Sequence, residues 1–148
     1  MSTVLYIDHD EDNVLFVLKA LEAQGHSVLW ATDGLEGLNL ARSHKPDVIL
    51  LEMQLPGMDG YEVARQLRAD PWHPLFNAPL IGLTTCSLPG AVLDVLAAGC
   101  DVCLVKPVTI HALRLEVAEA IQKERWPGLH PLGSPRMPGA GIFQKVEA

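Results

Sequence analysis

The sequence predicts an α/β fold in which helices cover both faces of a five-stranded, doubly wound parallel sheet. Five short apolar runs alternate along the chain with segments of helical period. The runs are rich in Val, Ile and Leu and lack alternating polar residues, which is typical of parallel strands buried on both faces. At 148 residues, of which 49% are hydrophobic, the chain is long enough for one domain with its own core.

The five runs predict strands over residues 4–7, 28–31, 48–51, 80–83 and 103–105. The segments between the first strands place apolar residues on one helical face. These residues are Val14, Val17, Leu18 and Leu21 in the first segment, Leu35, Leu38 and Ala41 in the second, and Val63 and Leu67 in the third. Repeated strand–helix units with right-handed crossovers build a doubly wound sheet, whose ligand site lies beyond the carboxyl ends of the strands.

Local signals for helix ends agree with this order of elements. Gly25 and Gly99 are predicted to end helices, because glycine tolerates the left-handed backbone found there. Three later helices are predicted to begin at polar caps: Asp33, paired with Glu36 in an acidic variant of a capping box, Ser87 before Pro89, and Thr109.

Charge and composition exclude several classes of protein. The net charge of −7 and the pI near 5.2 oppose attraction to nucleic acid or to an anionic membrane. The N-terminus has neither a signal peptide nor an anchor pattern, and eighteen consecutive apolar residues occur nowhere. Three cysteines are too few for a disulfide framework and indicate reduced thiols. We expect a cytoplasmic protein whose partners are proteins, not nucleic acid or membrane.

The composition changes at residue 125, where a tail rich in proline and glycine begins and runs to residue 148. Such a segment neither continues a helix nor builds a core. Its last residues, GIFQKVEA, regain apolar character. They are either a frayed terminus or a segment that docks weakly on the domain.

Polar residues follow four of the predicted strands, where ligands of such sheets bind. Asp8, His9 and Asp10 follow the first strand, and the later ones end at Glu52, Thr84 and Lys106. Carboxylates hold a divalent cation, a hydroxyl donates a hydrogen bond, and a lysine neutralises phosphate oxygens. The set therefore suits a phosphoryl group.

Together with their spacing, these residues resemble the receiver domain of two-component response regulators. The resemblance covers about residues 3 to 124 and is carried by YIDHDEDN (6–13), PDVILLEMQLPGMDG (46–60), LTT (83–85) and AAGCDVCLVKP (97–107). It implies a flavodoxin-like (βα)5 fold with strand order 2-1-3-4-5, and a receiver domain over residues 1–124. In such domains an aspartate after the third strand accepts a phosphoryl group from a kinase histidine, with Mg²⁺ held by an acidic pair after the first strand.

The sequence departs from that pattern at two positions. Glu52 stands where the acceptor aspartate belongs, and one extra methylene misplaces the carboxylate by roughly 1 Å, enough to cost on the order of a hundredfold in a positioned reaction. His9 replaces the second acid of the metal pair, and imidazole suits Mg²⁺ poorly. Asp8 and the Gln54 backbone carbonyl are left as ligands of a weak Mg²⁺ site. Ordinary phosphotransfer should therefore be severely impaired.

Three hypotheses for Glu52 follow from the resemblance. Its carboxylate, extended towards Lys106 and Thr84, is a partial mimic of the phosphorylated state, with one negative charge in place of nearly two. Alternatively, Glu52 and Lys106 form an inert ion pair in a degenerate site. In the third, a Mg²⁺-dependent regulator still accepts a phosphoryl group from a histidine kinase, on Glu52 or else on Asp10 or Asp59. A flavodoxin-like cofactor binder is a fourth hypothesis, and the lack of a Gly-rich loop after the first strand argues against it.

His9, Cys100 and Cys103 each allow a functional and a structural interpretation. A protonated His9 would supply the positive charge that Mg²⁺ normally brings, whereas the alternative is an exposed loop histidine. Cys100 and Cys103 have C-x-x-C spacing but lack a helix N-terminus or a second ligand pair, so we expect structural thiols. Cys103 occupies the position where many receivers carry a switching aromatic residue, so that half of the coupling to Thr84 is expected to be absent.

We therefore expect a stand-alone receiver domain that is not an enzyme and that signals or scaffolds through protein contacts. The resemblance implies a face formed by the fourth helix, fifth strand and fifth helix as the partner surface. Its partner is a histidine kinase or a downstream effector, and homodimerisation through the same face is a further option. No output domain is expected after residue 124, because the remaining chain is too short.

Overall fold

A computed structural model describes residues 2–69, 73, 77–123 and 144–146. In chain order the elements are β1 (Thr3–Ile7), α1 (Glu11–Glu22), β2 (Ser27–Ala31), α2 (Gly34–His44), β3 (Val48–Glu52), α3 (Gly60–Leu67), β4 (Leu80–Thr84), α4 (Pro89–Ala98), β5 (Val102–Val105), α5 (Ile110–Lys123) and β6 (Gln144–Val146). Each of the five predicted strands is present.

The first five strands form a parallel sheet in the order β2-β1-β3-β4-β5, which confirms the doubly wound, flavodoxin-like fold. The short β6 adds a sixth parallel strand at the outer edge of β5, where Lys145 stands in register with Leu104. The predicted Pro/Gly-rich tail, residues 125–148, lies outside the described residues apart from this strand.

Two apolar layers cover the sheet because successive strand residues point to opposite faces. In β1, Leu5 and Ile7 belong to the layer beneath α2, α3 and α4. Val4 and Tyr6 belong to the layer beneath α1 and α5. All four side chains are at most 1% exposed, so β1 is a central strand buried on both faces.

Most predicted helix starts are confirmed by their hydrogen bonds. Asp33 caps α2 by accepting from Glu36 N at 2.8 Å, and Thr109 caps α5 by accepting from Ala112 N at 3.0 Å. The return bond of the capping box is shifted by one residue, because Glu36 accepts from Thr32 N at 2.8 Å.

Two expectations were wrong. The N-cap of α4 is Leu88, whose side chain makes no cap hydrogen bond, and not Ser87. Pro89 at the start of that helix has no N–H to satisfy, which reduces the need for a polar cap. Leu35 is 60% exposed, while Leu38 and Ala41 of the same helix are buried. Leu35 lies in the first turn of α2, beyond the edge of the apolar layer that buries Leu38 and Ala41.

Among the described residues, no helix is long and apolar enough to cross a membrane.

Candidate functional site

The predicted site residues meet at the carboxyl edge of the sheet. Glu52 and Thr84 are the last residues of β3 and β4, and Asp8 directly follows β1. The backbone holds this edge together, because Asp8 N donates to Ala31 O at 3.0 Å and Lys106 N donates to Thr84 O at 2.8 Å. The parallel register therefore places residues from distant parts of the chain side by side.

The centre of the site is an ion pair between Glu52 and Lys106. Glu52 Oε2 contacts Lys106 Nζ directly, and Glu52 Oε1 accepts from Gln54 N at 3.2 Å. The Glu52 side chain is 5% exposed and that of Lys106 is 23% exposed. Removal from water strengthens the attraction between the two charges, although each also loses hydration. Both Glu52 oxygens are thus engaged by groups of this chain.

Asp8 is completely buried and accepts hydrogen bonds on both oxygens. Its Oδ1 accepts from Asp10 N at 2.9 Å, and its Oδ2 accepts from the Tyr6 hydroxyl and from Asn13 Nδ2, the latter at 3.1 Å. Lys106 Nζ lies 3.8 Å from the same Oδ2. Asp8 is therefore linked to Glu52 through their shared cation.

Burial, the hydrogen bond to Asp8 and the nearby charges of Asp8, Glu52 and Asp10 together raise the pKa of Tyr6 well above its ordinary value. The phenol stays protonated and acts as a donor. Sequence reasoning missed Tyr6 and Asn13 as site residues. A signal was available for Tyr6, which stands two residues before Asp8 and so shares its side of the strand.

The other two acidic-pocket candidates lie on the surface. The His9 side chain is 52% exposed, and its Nδ1 lies 3.7 Å from Asp8 Oδ1, too far for a hydrogen bond. The Asp10 carboxylate caps α1, accepting from Asp12 N at 2.9 Å and from Asn13 N at 3.4 Å. Asp10 therefore orients the helix that carries Asn13.

Thr84 and Cys103 are buried close to the site without joining its ion pair. Thr84 is 2% exposed, and its Oγ1 accepts from Cys86 N at 3.2 Å. No hydrogen bond between Thr84 and Glu52 is found among the described residues. Cys103 lies in the apolar layer beneath α4, opposite Gly82 of β4.

The two cysteines of the C-x-x-C spacing are free and buried. Burial raises the pKa of Cys103 to about 11 and raises that of Cys100 further. Raised thiol pKa values suppress the reactive thiolate, which agrees with structural thiols.

The loop after β3 holds the start of α3 close to the end of β3, next to Glu52. Asp59 caps α3 by accepting from Glu62 N at 3.0 Å, and Gly60 N donates to Met53 O at 3.0 Å. A Cβ at Gly60 would lie 2.6 Å from both Glu52 O and Met53 Cα, so only glycine permits this approach of α3 to the end of β3.

The residues present do not fit a Mg²⁺ site as they stand. Mg²⁺ prefers several oxygen ligands in near-ideal octahedral geometry. Asp8 already accepts from three donors, Glu52 is engaged by Lys106 and Gln54 N, and His9 offers nitrogen. In the part of the chain that the structure describes, no group of three or more His, Cys, Asp or Glu residues is placed to hold a metal ion.

Comparison with known proteins decides the family. The family model for the response regulator receiver domain matches residues 4–118. The chain belongs to this family. Receivers are signalling modules that interact with histidine kinases and effectors.

This receiver is similar to proteins of several bacteria. The polar-differentiation response regulator DivK of Brucella anthropi is 32% identical over 108 residues, which is 73% of this chain and 86% of DivK. A two-component response regulator from Clostridium difficile has a TM-score of 0.77 at 26% identity, covering 85% of this chain and 100% of the other.

A third similar structure bears on the metal. It is the receiver domain of sensor histidine kinase PA1611 from Pseudomonas aeruginosa, which has a magnesium ion coordinated in its active-site cleft. It has a TM-score of 0.76 at 27% identity, covering 82% of this chain and 98% of the other.

Proposed function

We propose that this receiver signals through protein contacts without accepting a phosphoryl group, and that Glu52 is a partial mimic of phosphoaspartate. The observation that carries the proposal is the ion pair between Glu52 and Lys106 at the buried end of β3. In the family pattern, that lysine neutralises phosphate oxygens. Here a carboxylate of the chain itself already neutralises it.

The engaged state of Glu52 argues against its use as a nucleophile. Attack on phosphorus needs a free carboxylate oxygen in line with the leaving group, and the reaction depends on positioning and charge neutralisation. Glu52 Oε2 is held by Lys106, and Oε1 accepts from Gln54 N. A phosphodonor would therefore have to break the ion pair before either residue could serve it.

The mimicry is partial for two reasons. A carboxylate carries one negative charge where a phosphoryl group carries nearly two. Glu52 contacts Lys106, whereas Thr84 Oγ1 accepts from Cys86 N and makes no hydrogen bond with Glu52 among the described residues. Of the two contacts expected for an occupied pocket, the lysine contact is formed and the threonine contact is not.

We assign the partner surface to the face formed by α4, β5 and α5. One feature supports this. The helices carry exposed apolar side chains, including Leu93 at 64%, Ile110 at 43% and Leu115 at 45%. The outer edge of β5 accepts a parallel strand, β6, so a partner at this face would meet β6 as well.

The first test is chemical. We expect the wild-type chain, incubated with acetyl phosphate and Mg²⁺, to keep its intact mass, because Lys106 and Gln54 N each hold one oxygen of Glu52. A stoichiometric, base-labile gain of one phosphoryl group would favour the Mg²⁺-dependent phosphoacceptor instead and would overturn the proposal.

The second test separates the mimic from an inert ion pair. Glu52→Gln keeps the length of the side chain but removes the charge, and Glu52→Asp keeps the charge but shortens the reach. We expect both variants to shift the backbone amide resonances of β5 and the start of α4, because Lys106 loses its partner. If both leave those resonances where they are in wild type, the pair is inert and the domain is a scaffold.

A further inference from the structure

The hydrogen bonds of Asp8 leave it little capacity for a metal ion. A carboxylate offers about four lone-pair positions. Three of them on Asp8 are taken, by the Tyr6 hydroxyl, Asn13 Nδ2 and Asp10 N. The remaining position is on Oδ1, and His9 Nδ1 lies 3.7 Å from that atom. The residue that the family pattern would use for Mg²⁺ is therefore already solvated by its own chain.

We propose that Tyr6 and Asn13 exclude divalent cations from this pocket by donating hydrogen bonds to the Asp8 carboxylate and so filling its acceptor positions. Protein donors then replace the metal found in a similar receiver. This inference rests on the proposed function in one respect, since it explains how a pocket of buried carboxylates is kept stable without Mg²⁺. It assigns a specificity-determining role to two residues outside the acidic and phosphate-binding set.

The charges in the pocket show why the donors are needed. Asp8 and Glu52 are buried carboxylates and Lys106 is the ammonium group that contacts one and approaches the other. One ammonium does not neutralise two carboxylates. Donors aimed at a buried carboxylate stabilise the excess charge as a metal ion otherwise would.

The positions of the two donors are fixed by the fold. Tyr6 is 1% exposed and lies on the same side of β1 as Asp8, packed in the layer beneath α1 and α5. Asn13 lies in the first turn of α1, whose start is held by the Asp10 cap. A Mg²⁺ ion at Oδ2 would displace both donors and leave the buried phenol without its acceptor, which is unfavourable.

The test measures Mg²⁺ binding, by residue-specific amide shifts in the full-length chain, for variants that free Asp8. We expect no saturable binding in wild type. The His9→Asp background places a second carboxylate next to Asp8. In that background, adding Tyr6→Phe or Asn13→Ala should tighten Mg²⁺ binding about tenfold, the size of the affinity change typical of mutating a side chain that is hydrogen-bonded to a metal ligand. Tyr61→Phe in the same background is the matched control and should leave the affinity unchanged.

Two results would overturn the inference. One is Mg²⁺ binding to wild type as tight as to the freed variants. The other is equal affinity in His9→Asp with and without the second substitution. If Tyr6→Phe does not fold, Asn13→Ala decides alone, because Asn13 lies near the surface of α1. Loss of this inference is distinguishable from loss of the proposed function, since a wild type that binds Mg²⁺ but gains no mass with acetyl phosphate contradicts only the inference.

Discussion

Arg68 is expected to be a major determinant of stability because it ties three distant segments together. It directly follows α3 and donates to Ala78 O at 2.7 Å, to Gly99 O at 3.0 Å and to Asp101 Oδ2 at 3.2 Å. Asp101 Oδ2 also accepts from Leu80 N at 2.9 Å. The guanidinium therefore joins the end of α3 to the start of β4 and to the turn before β5.

The expected cost of Arg68→Ala follows from this geometry. Hydrogen bonds from a charged donor contribute about 1.5–3 kcal/mol each when considered singly. The three bonds share one side chain that is 12% exposed, so water compensates part of the loss and the contributions do not add. We expect the free energy of unfolding to fall by about 3 kcal/mol. In urea, the midpoint should drop by about 1–2 M.

Arg65, three residues earlier and inside α3, provides the matched control. Its ion pair with Glu62 spans one helical turn, and the two side chains are 56% and 44% exposed. Arg65→Ala should therefore lower the free energy of unfolding by at most about 0.5 kcal/mol. Arg68→Lys should fall between, because an ammonium group cannot reproduce the three-way fork. Equal urea midpoints for Arg65→Ala and Arg68→Ala would refute the reasoning.

Three further predictions concern glycine packing, thiol reactivity and the pH dependence of stability. Gly60→Ala should lower the free energy of unfolding by about 2 kcal/mol or more, because the added Cβ would meet backbone atoms at 2.6 Å. Gly90→Ala is the control: its Cβ would have nothing within 4 Å, so this variant should be neutral or stabilised by up to about 1 kcal/mol. Similar melting curves for the two variants would contradict this. In native protein at pH 8, iodoacetamide should alkylate the partly exposed Cys86 well before Cys100 and Cys103, as read by peptide mass. Burial raises the pKa of Cys103 to about 11, above the value of about 8.5 of an unfolded thiol. The contribution of the buried, protonated thiol to stability is therefore complete below about pH 8.5 and should decline as the pH rises from there towards 11. Native-state labelling of Cys103 at the rate of Cys86 would show that the buried site opens readily.

The positions of the strands and the location of the site could be predicted because they depend on local pattern and general rules of chain topology. Runs such as residues 48–51 are apolar without alternation, and only a strand covered on both faces makes use of that pattern. Once the strands are placed, Asp8, Glu52, Thr84 and Lys106 necessarily end at one edge of the sheet. The resemblance to receivers supplied the order of the strands.

Other features could not be predicted because they depend on distances between segments. Leu35 fits the apolar phase of α2, yet it is 60% exposed, since helical phase does not tell how far the layer extends. Ser87 was a suitable cap by residue type, but the N-cap lies one residue later, at Leu88, and the helix begins at Pro89. The β6 strand depends on a pairing with β5 across almost forty residues of chain. The sequence offered weak docking of the last residues as one of two options, without a strand or a partner strand.

The sequence by itself determined that this chain is an α/β receiver with a carboxylate, a hydroxyl and a lysine at one edge of its sheet. Those conclusions follow from residue types and spacings, which are properties of the chain. Only the tertiary structure decided that Glu52 pairs with Lys106 and that Thr84 makes no hydrogen bond to this pair among the described residues. It also decided that Tyr6 and Asn13 donate hydrogen bonds to Asp8. The physical reason is that a buried charge binds whichever partner the packing brings within hydrogen-bond distance, and that distance is set by the whole fold.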